Sequence, residues 1–304
     1  MATAGVLPAE LSAEAVEHDA TALLGLTDAR LRALMPYAQV GETDILFKAA
    51  ADAVLSRGKR ARPIMSMLAC AHVGGRPQDA LDFGCAVEIV HAASLVMDDL
   101  PCMDDAALRR GAPTLHRTHG EDAAVLVSIA LLNHAHRTIL AAADLSAETR
   151  LALLDQLTTA VGFDGLAQGQ MRDLRDGPDE RTERGRRRLN HLKTGGLIVG
   201  AVRGGGIVGG ATAAQLDALA RFAECVGFAF QLCDDLQDVT STADVLGKDV
   251  AQDREKLTFV DVWGEGRVRA AIRQAVERAE EALGEASALG DYVRALLLKA
   301  SAHR

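Results

Sequence analysis

The chain has 304 residues and 32.1 kDa, with 49% hydrophobic and 25% charged side chains, which allows a sizeable buried core and excludes a miniature scaffold stapled by disulfides. Aromatic residues make up only 3%, while Ala, Leu and Val dominate, disfavouring aromatic-rich sandwiches and barrels and pointing to helix. A net charge of −9 excludes a general nucleic-acid or anionic-membrane surface, so an anionic ligand has to be met by local cations or by metal.

From Ala13 onward apolar residues recur at spacings of three and four, as in Leu23, Leu26, Leu31 and Leu34, which predicts helix after helix with no strand ladder. No basic stretch followed by an apolar core opens the chain, and the longest uncharged apolar runs, 123–132 and 195–202, fall short of a bilayer span. Neither a secretory leader nor a transmembrane segment is expected. Gly58 and Pro63 frame the first cationic stretch, Arg57-Gly58-Lys59-Arg60-Ala61-Arg62-Pro63, and Gly74-Gly75-Arg76-Pro77 the next break.

The apolar run Ile89–Met97 then leads into Asp98-Asp99-Leu-Pro-Cys-Met-Asp104-Asp105. Pro101 cannot continue an undisturbed helix, so the spacer is expected to bulge and bring Asp104 back toward Asp98. Leu108-Arg109-Arg110-Gly111 follows. His116 and His119 have a metal-like spacing but no thiol or third histidine nearby, and read as capping or loop residues. After Gly177-Pro178, five arginines stand against one glutamate between Arg181 and Arg188, read as a solvated loop. Lys193-Thr194-Gly195 comes next. Gly204, Gly206 and Gly209 satisfy G-x-G-x-x-G but follow an apolar helical stretch rather than a strand, so close helix packing or an interhelical turn is expected instead of a dinucleotide site.

Val226–Cys233 leads into a second acidic run, Asp234-Asp235-Leu-Gln-Asp238. On a helix Asp234 and Asp238 lie one turn apart on one face, with Gln231 one turn before Asp234. Lys248 and Lys256 follow, and Gly264 is the last break. No stretch has the composition of an interdomain linker, so residues 1–304 read as one domain with 1–20 a candidate flexible end. The five cysteines are scattered without a C-x-x-C pair, which suggests neither disulfides nor zinc and fits a reducing cytoplasm.

Like charges crowded behind two apolar helices require cations. Oxygen-only ligands at this spacing suit Mg²⁺, with water and phosphate oxygens completing the octahedron. The Arg and Lys stretches are natural partners for those phosphates.

Five motifs, R-G-K-R-A-R-P, H-A-A-S-L-V-M-D-D-L-P-C-M-D-D with L-R-R-G, G-Q-M-R-D, K-T-G and F-Q-L-C-D-D-L-Q-D, occur in the order found in trans-type isoprenyl diphosphate synthases. From about Arg57 to Thr258 the chain resembles that family, in particular its bacterial carotenoid-type geranylgeranyl diphosphate synthases. The resemblance implies an all-α, single-domain bundle of the isoprenoid synthase type, with ten to thirteen helices around a deep central cavity, and a homodimer. It implies head-to-tail condensation of isopentenyl diphosphate with an allylic diphosphate by ionisation, condensation and proton loss. It further implies that Asp98, Asp99, Asp104, Asp234, Asp235 and Asp238 hold three Mg²⁺ ions, with Asp98, Asp104, Lys193, Asp234 and Lys248 catalytic. Arg109, Lys193, Gln231 and Lys248 would contact the allylic diphosphate, and Lys59, Arg62, His91 and Arg110 isopentenyl diphosphate. Gln170 and Thr194 would line the reacting region.

Ala93 and Ser94, five and four residues before Asp98, are small where an aromatic side chain stops growth at fifteen carbons in the family. The expected step is therefore farnesyl to geranylgeranyl diphosphate, with C15 and C25 or longer products as alternatives. Two departures stand out: Arg57 precedes Gly58 where the family opens with two glycines, and Ala251 and Glu255 replace glycines of the late lysine-bearing stretch. Two rivals are disfavoured. A class I terpene cyclase would carry Asn, Ser or Thr and Glu in its second metal motif and would not need Lys59, Arg62 and Arg110, and a non-catalytic partner subunit would have lost metal aspartates that are all present here.

Overall fold

The computed structural model of the protein describes residues 13–35, 44–175, 177–240, 258–284 and 286–302. Helices α1 (Ala13–Leu34), α2 (Ile45–Leu55), α3 (Ala61–His72), α4 (Leu81–Asp98), α5 (Leu115–His119), α6 (Glu121–Ala141) and α7 (Ala147–Val161) are followed by α8 (Leu166–Arg175), α9 (Glu183–Asn190), α10 (Gly196–Val208), α11 (Ala213–Thr240), α12 (Phe259–Trp263), α13 (Glu265–Leu283) and α14 (Ala288–Ala302). The fold is all-α, as its sequence periodicity predicts. The described residues hold more helices than the ten to thirteen expected, because α5 and α12 are five residues long, too short for periodicity to reveal.

The starts of several helices are written into the sequence. The side chains of Asp44, Ser146 and Thr182 accept backbone N–H groups of Leu46, Thr149 and Gly185 at 3.1, 3.0 and 3.0 Å. Thr258 and Asp261 form a reciprocal capping box on α12.

Three features differ from the sequence reading. First, a minimal antiparallel hairpin interrupts the helices, pairing β1 (Leu108–Arg109) with β2 (Ala112–Pro113). Its turn residues Arg110 and Gly111 both have positive φ, 55° and 80°, the turn geometry that follows strand twist. Second, the arginine-rich stretch after Pro178 is not a solvated loop: it forms helix α9, whose Arg186, Leu189 and Asn190 are buried. Third, two helical segments, Pro77–Asp98 and Glu121–Ala141, have the length and apolarity of a bilayer span. The first has 72% of its apolar window buried against neighbours, as a core helix does. The second leaves Val125, Leu126, Ile129 and Leu140 exposed along one side.

Two apolar cores meet at α10. Ile198 and Val202 pack with residues of α3, α11, α13 and α14, whereas Leu197 and Ala201 pack with residues of α2, α4, α6 and α7. The glycines of α10 permit this. A Cβ on Gly204 would lie 1.9 Å from the Phe83 ring and one on Gly205 2.0 Å from the Ser66 carbonyl, so the G-x-G-x-x-G stretch serves close helix packing. With α10 as the shared wall, α4 and α11 face each other across a cavity.

Candidate active site

That cavity has a volume of about 700 Å³ and is lined from α4 by His91, Ser94, Leu95 and Asp98, and from α11 by Gln231, Asp234, Asp235 and Asp238. The two acidic runs therefore converge on one space. At the end of α4 the chain turns back as the Pro101 bulge predicts: the Asp104 amide donates to the Asp98 carbonyl at 3.0 Å, and both side chains line the cavity. Burial pushes the Asp98 carboxyl up to about 6, with Lys193 pulling it down and Asp104 adding to the push.

Asp99 behaves differently. It is 4% exposed, does not line this cavity, and accepts two bonds from Arg109 of β1, that from Nε at 2.9 Å. Burial raises its pKa, against the pull of Arg109. Asp99, Arg109 and Arg110 also line a second cavity of about 930 Å³ between α2, α4 and α5, so the hairpin forms a wall between the two spaces.

On α11, Asp235 is anchored at both oxygens. Gln231 Nε2 donates to one at 2.8 Å, and the backbone N–H of Phe259, at the start of α12, donates to the other at 2.8 Å. Burial pushes Asp235 up to about 6 in spite of these bonds. Thr194 completes the chain by donating to Gln231 Oε1 at 3.1 Å.

Thr194 and Lys193 belong to a single π-helical turn, His191–Gly195, that joins α9 to α10. Such turns carry one extra residue and frequently occur at functional sites. A Cβ on Gly169 would lie 2.5 Å from the Lys193 backbone nitrogen, so glycine there lets α8 approach the turn. The Lys193 ammonium donates to Asp173 of α8 at 2.6 Å. Burial would lower its pKa, but Asp173, Asp98 and Asp104 together raise it.

Arg62, Arg110 and His91 line the same cavity, the two guanidinium groups near enough for their charge to act on the imidazole. A Cβ on Gly58 would lie 2.8 Å from the Arg110 guanidinium, so glycine leaves Arg110 its place beside the loop. Burial, then the charges of Arg62 and Arg110, hold His91 well below the ordinary histidine value; it is a neutral imidazole able to donate one hydrogen bond. Among the described residues, Arg62 Nε and both amide atoms of Gln170 are buried without a hydrogen-bond partner. Two buried donors and one buried acceptor of this kind call for a ligand that can both accept and donate, directly or through water. Arg60 does something else: it bridges Glu88 and Asp28 at 3.0 Å each and so ties the cationic loop to α4 and α1.

The polyprenyl synthetase family profile matches residues 43–282. The geranylgeranyl diphosphate synthase of Pantoea ananas is 40% identical over 267 residues, covering 87% of this chain and 86% of that protein. That of Pseudescherichia vulneris is 39% identical over 269 residues, 88% and 86% of the two chains. This chain belongs to the polyprenyl synthetase family. The solved FPP/GFPP synthase of Zymomonas mobilis superposes with a TM-score of 0.83 at 29% identity, covering 96% of this chain and all of that one. The Helicobacter pylori geranyltransferase, crystallised with magnesium and isoprenyl diphosphate, gives 0.82 at 26% identity over 95% and 98% of the two chains.

In this polyprenyl synthetase the cavity gathers Asp98, Asp104, Asp234, Asp235, Asp238, Arg62, His91, Arg109, Arg110, Gln170, Lys193, Thr194, Gln231 and Ser94. Lys59 is exposed and does not line it; its charge acts on Cys233 of α11. Ala93 is fully buried, its carbonyl facing Ser128 of α6 at 3.4 Å. Lys248 and Lys256 lie outside the described residues. His119 contacts Asp52 at 2.9 Å and His116 lies 3.9 Å from Asp105. The sequence reading missed Asp173, Arg186 and Asn190, all of which line the cavity. Asp173 could have been found, because it closes the G-Q-M-R-D motif one helical turn after Gln170.

Proposed function

We propose that the chain is a magnesium-dependent, head-to-tail prenyltransferase that extends an allylic diphosphate with isopentenyl diphosphate, its main step being farnesyl to geranylgeranyl diphosphate. The observation that carries this reading is the convergence of two carboxylate pairs, Asp98/Asp104 and Asp234/Asp238, on one cavity that Arg62, Arg110 and His91 also line. The carboxylates suit a metal-bound diphosphate, the guanidinium groups a diphosphate held by cations alone. That is the requirement of a condensation with two anionic substrates.

Among the described residues no three carboxylates, histidines or cysteines converge closely enough to enclose an ion. Mg²⁺ does not need such a cage, since it is held by one or two carboxylates together with waters and substrate phosphates. Asp98, Asp104, Asp234, Asp235 and Asp238, which line the cavity, would hold the ions, three being the number we assign, with Asp99 beside them held by Arg109. When bound, the metal neutralises charge developing on the leaving diphosphate.

The chain's own residues do the rest. Lys193 and Arg109 stand beside the carboxylates and stabilise the departing diphosphate as the allylic C–O bond breaks. Arg62, Arg110 and neutral His91 hold isopentenyl diphosphate so that its double bond attacks the allylic carbon, and Lys59, outside the cavity lining, is assigned to the same diphosphate. Gln170 and Thr194 line the space where the new bond forms, and Lys248 is assigned to the allylic diphosphate. Leu95, Leu166, Leu189 and Leu197 give the cavity unreactive apolar lining, which keeps water from the cation. Ser94, small and lining the cavity, leaves the prenyl tail room to pass.

We assign one domain, a cytoplasmic setting supported by five free thiols, and a homodimer formed through the exposed apolar side of α6. Product analysis tests the reading. Pure protein with Mg²⁺, isopentenyl diphosphate and dimethylallyl, geranyl or farnesyl diphosphate gives chiefly the C20 diphosphate. A C15 or C25 product refutes the chain-length assignment, and cyclic hydrocarbon or no product refutes the condensation itself.

A further inference from the structure

Helix α12 is five residues long, too short to be held by its own hydrogen bonds, yet it belongs to the cavity wall, which Thr258, Phe259 and Asp261 line. Its first amide is also the one that holds the second oxygen of Asp235, the Phe259 N–H donating at 2.8 Å. The N–H groups of a first turn point along the helix axis, so whatever fixes the axis of α12 also fixes that carboxylate.

Two contacts fix it, one at each end. At the start of α12 the Phe259 side chain is buried and meets Phe228 of α11 edge to face, the ring centroids 5.6 Å apart. This contact by itself leaves the short helix free to pivot. At the other end Trp263 lies 4.7 Å from the Phe259 ring and reaches α9, where its Nε1 donates to one oxygen of Glu183 at 3.1 Å. Arg187 donates to the other oxygen of Glu183 at 3.2 Å and sets its guanidinium 4.5 Å from the Phe228 ring and 5.2 Å from the Trp263 ring. Glu183 and Arg187 are one turn apart on α9, so three side chains close a clasp between α9 and α12. The first oxygen of Asp235 is held from the same side: α9 continues into the π turn, whose Thr194 donates to Gln231, and Gln231 to Asp235.

We propose that Trp263 is a positioning residue: clasped by Glu183 and Arg187, it orients α12 so that the Phe259 amide fixes Asp235 for a metal-bound diphosphate. The last step rests on the diphosphate reading of the cavity, whereas the link from Trp263 to the Phe259 amide does not. Arg267 also lies over the Trp263 ring, at 4.9 Å, but it belongs to α13 and not to α9, which makes it the control.

Amide hydrogen exchange at Phe259 in the metal-free full chain tests the first link, and titration calorimetry with Mg²⁺ and inorganic pyrophosphate tests the second. W263L keeps apolar bulk but removes the indole N–H and the ring. It raises Phe259 exchange about tenfold and weakens pyrophosphate binding about fivefold, the scale of one lost hydrogen bond and one lost cation–π contact. E183A gives smaller changes of the same kind and shifts the emission of Trp263, the only tryptophan of the chain, to longer wavelength. E183Q, which keeps an acceptor for the indole, recovers most of both losses, and R267M exchanges and binds as wild type. W263L raises the KM for the allylic diphosphate and leaves that for isopentenyl diphosphate within twofold, whereas a general loss of structure moves both. If W263L does not fold, E183A and R187M decide alone. Faster exchange with unchanged binding makes the clasp a stabilising contact only and overturns the proposal. Weaker binding with unchanged exchange overturns it as well, because Trp263 then acts by another route. A wild-type protein that binds no pyrophosphate with Mg²⁺ overturns the diphosphate reading, and the exchange measurement keeps that failure apart from a failure of the clasp.

Discussion

The acidic run at the end of α4 and the one inside α11 reach the same arrangement by different means. The first lies past a helix end, where a proline-bearing bulge folds Asp104 back to Asp98 and a hairpin supplies Arg109 to hold Asp99. The second stays helical, so Asp234 and Asp238 share a face by periodicity alone, and Asp235 is held by Gln231 and by the Phe259 amide. In the first run Asp98 and Asp104 face the cavity while Asp99 is held by Arg109 outside its lining; in the second, Asp234, Asp235 and Asp238 all line it, and Asp235 is at the same time anchored at both oxygens. Motif spacing thus hides a division of labour, because neighbouring aspartates of identical chemistry are fixed by different partners: Arg109 for Asp99, and Gln231 with the Phe259 amide for Asp235.

The largest test of that parallel is removal of a cavity-facing carboxylate. D98N and D234N are each expected to lose on the order of 10²–10³ in kcat, the scale of one lost electrostatic contact in a transition state. A large loss in only one of them breaks the equivalence of the two walls. The anchors should separate from the ligands in a stability measurement. D235A strands the buried Phe259 amide and is expected to lose about 1–3 kcal/mol in urea unfolding. D99A should lose less, because Arg109 keeps 28% of its side chain in solvent; the reverse order would make Asp99 the stronger anchor.

A smaller effect concerns pH. Asp98 and Asp235 sit at about 6 rather than the ordinary 3.8, so the folded chain binds protons that the unfolded chain has released. Without metal, the stability these groups contribute is fully present below about pH 4 and is lost as pH rises through 6, by at most about 1.4 kcal/mol per pH unit for each group. Binding of Mg²⁺ and pyrophosphate runs the other way, since it requires the carboxylates ionised, and weakens below pH 6. Thermal melts at pH 5 and pH 7, with and without these ligands, read both signs; parallel curves would remove the charge argument. The finest distinction is in product length. S94F should shorten the product by filling the cavity, whereas A93F should chiefly lower the melting temperature by overpacking the contact with α6. A shorter product from A93F alone would move the channel to the other side of α4.

The helical class, both acidic runs and the cations of the loop before α3 were legible because each is a local pattern of residue type and spacing. The Pro101 bulge was legible for the same reason. Arg186 was not, because five arginines in eight residues read as a solvated surface, and only the packing of α9 against the cavity decides which one is buried. The hairpin escaped because two-residue strands carry no period. The orientation of Asp99 depends on a partner ten residues away whose strand could not be foreseen.

The π turn at His191–Gly195 makes α9 and α10 one continuous rod whose halves are out of phase. On the α10 half, glycines are seated against Phe83 and Ser66; on the α9 half, Arg186 meets Asp173. A regular α-helix through the same length would rotate one half against the other by about 100° per residue removed. Deleting a single residue within the turn should therefore leave the glycine face seated while swinging Arg186 away from the cavity. The inserted residue works as a phase shifter, and a family of chains could gain or lose this geometry in one codon without repacking either core.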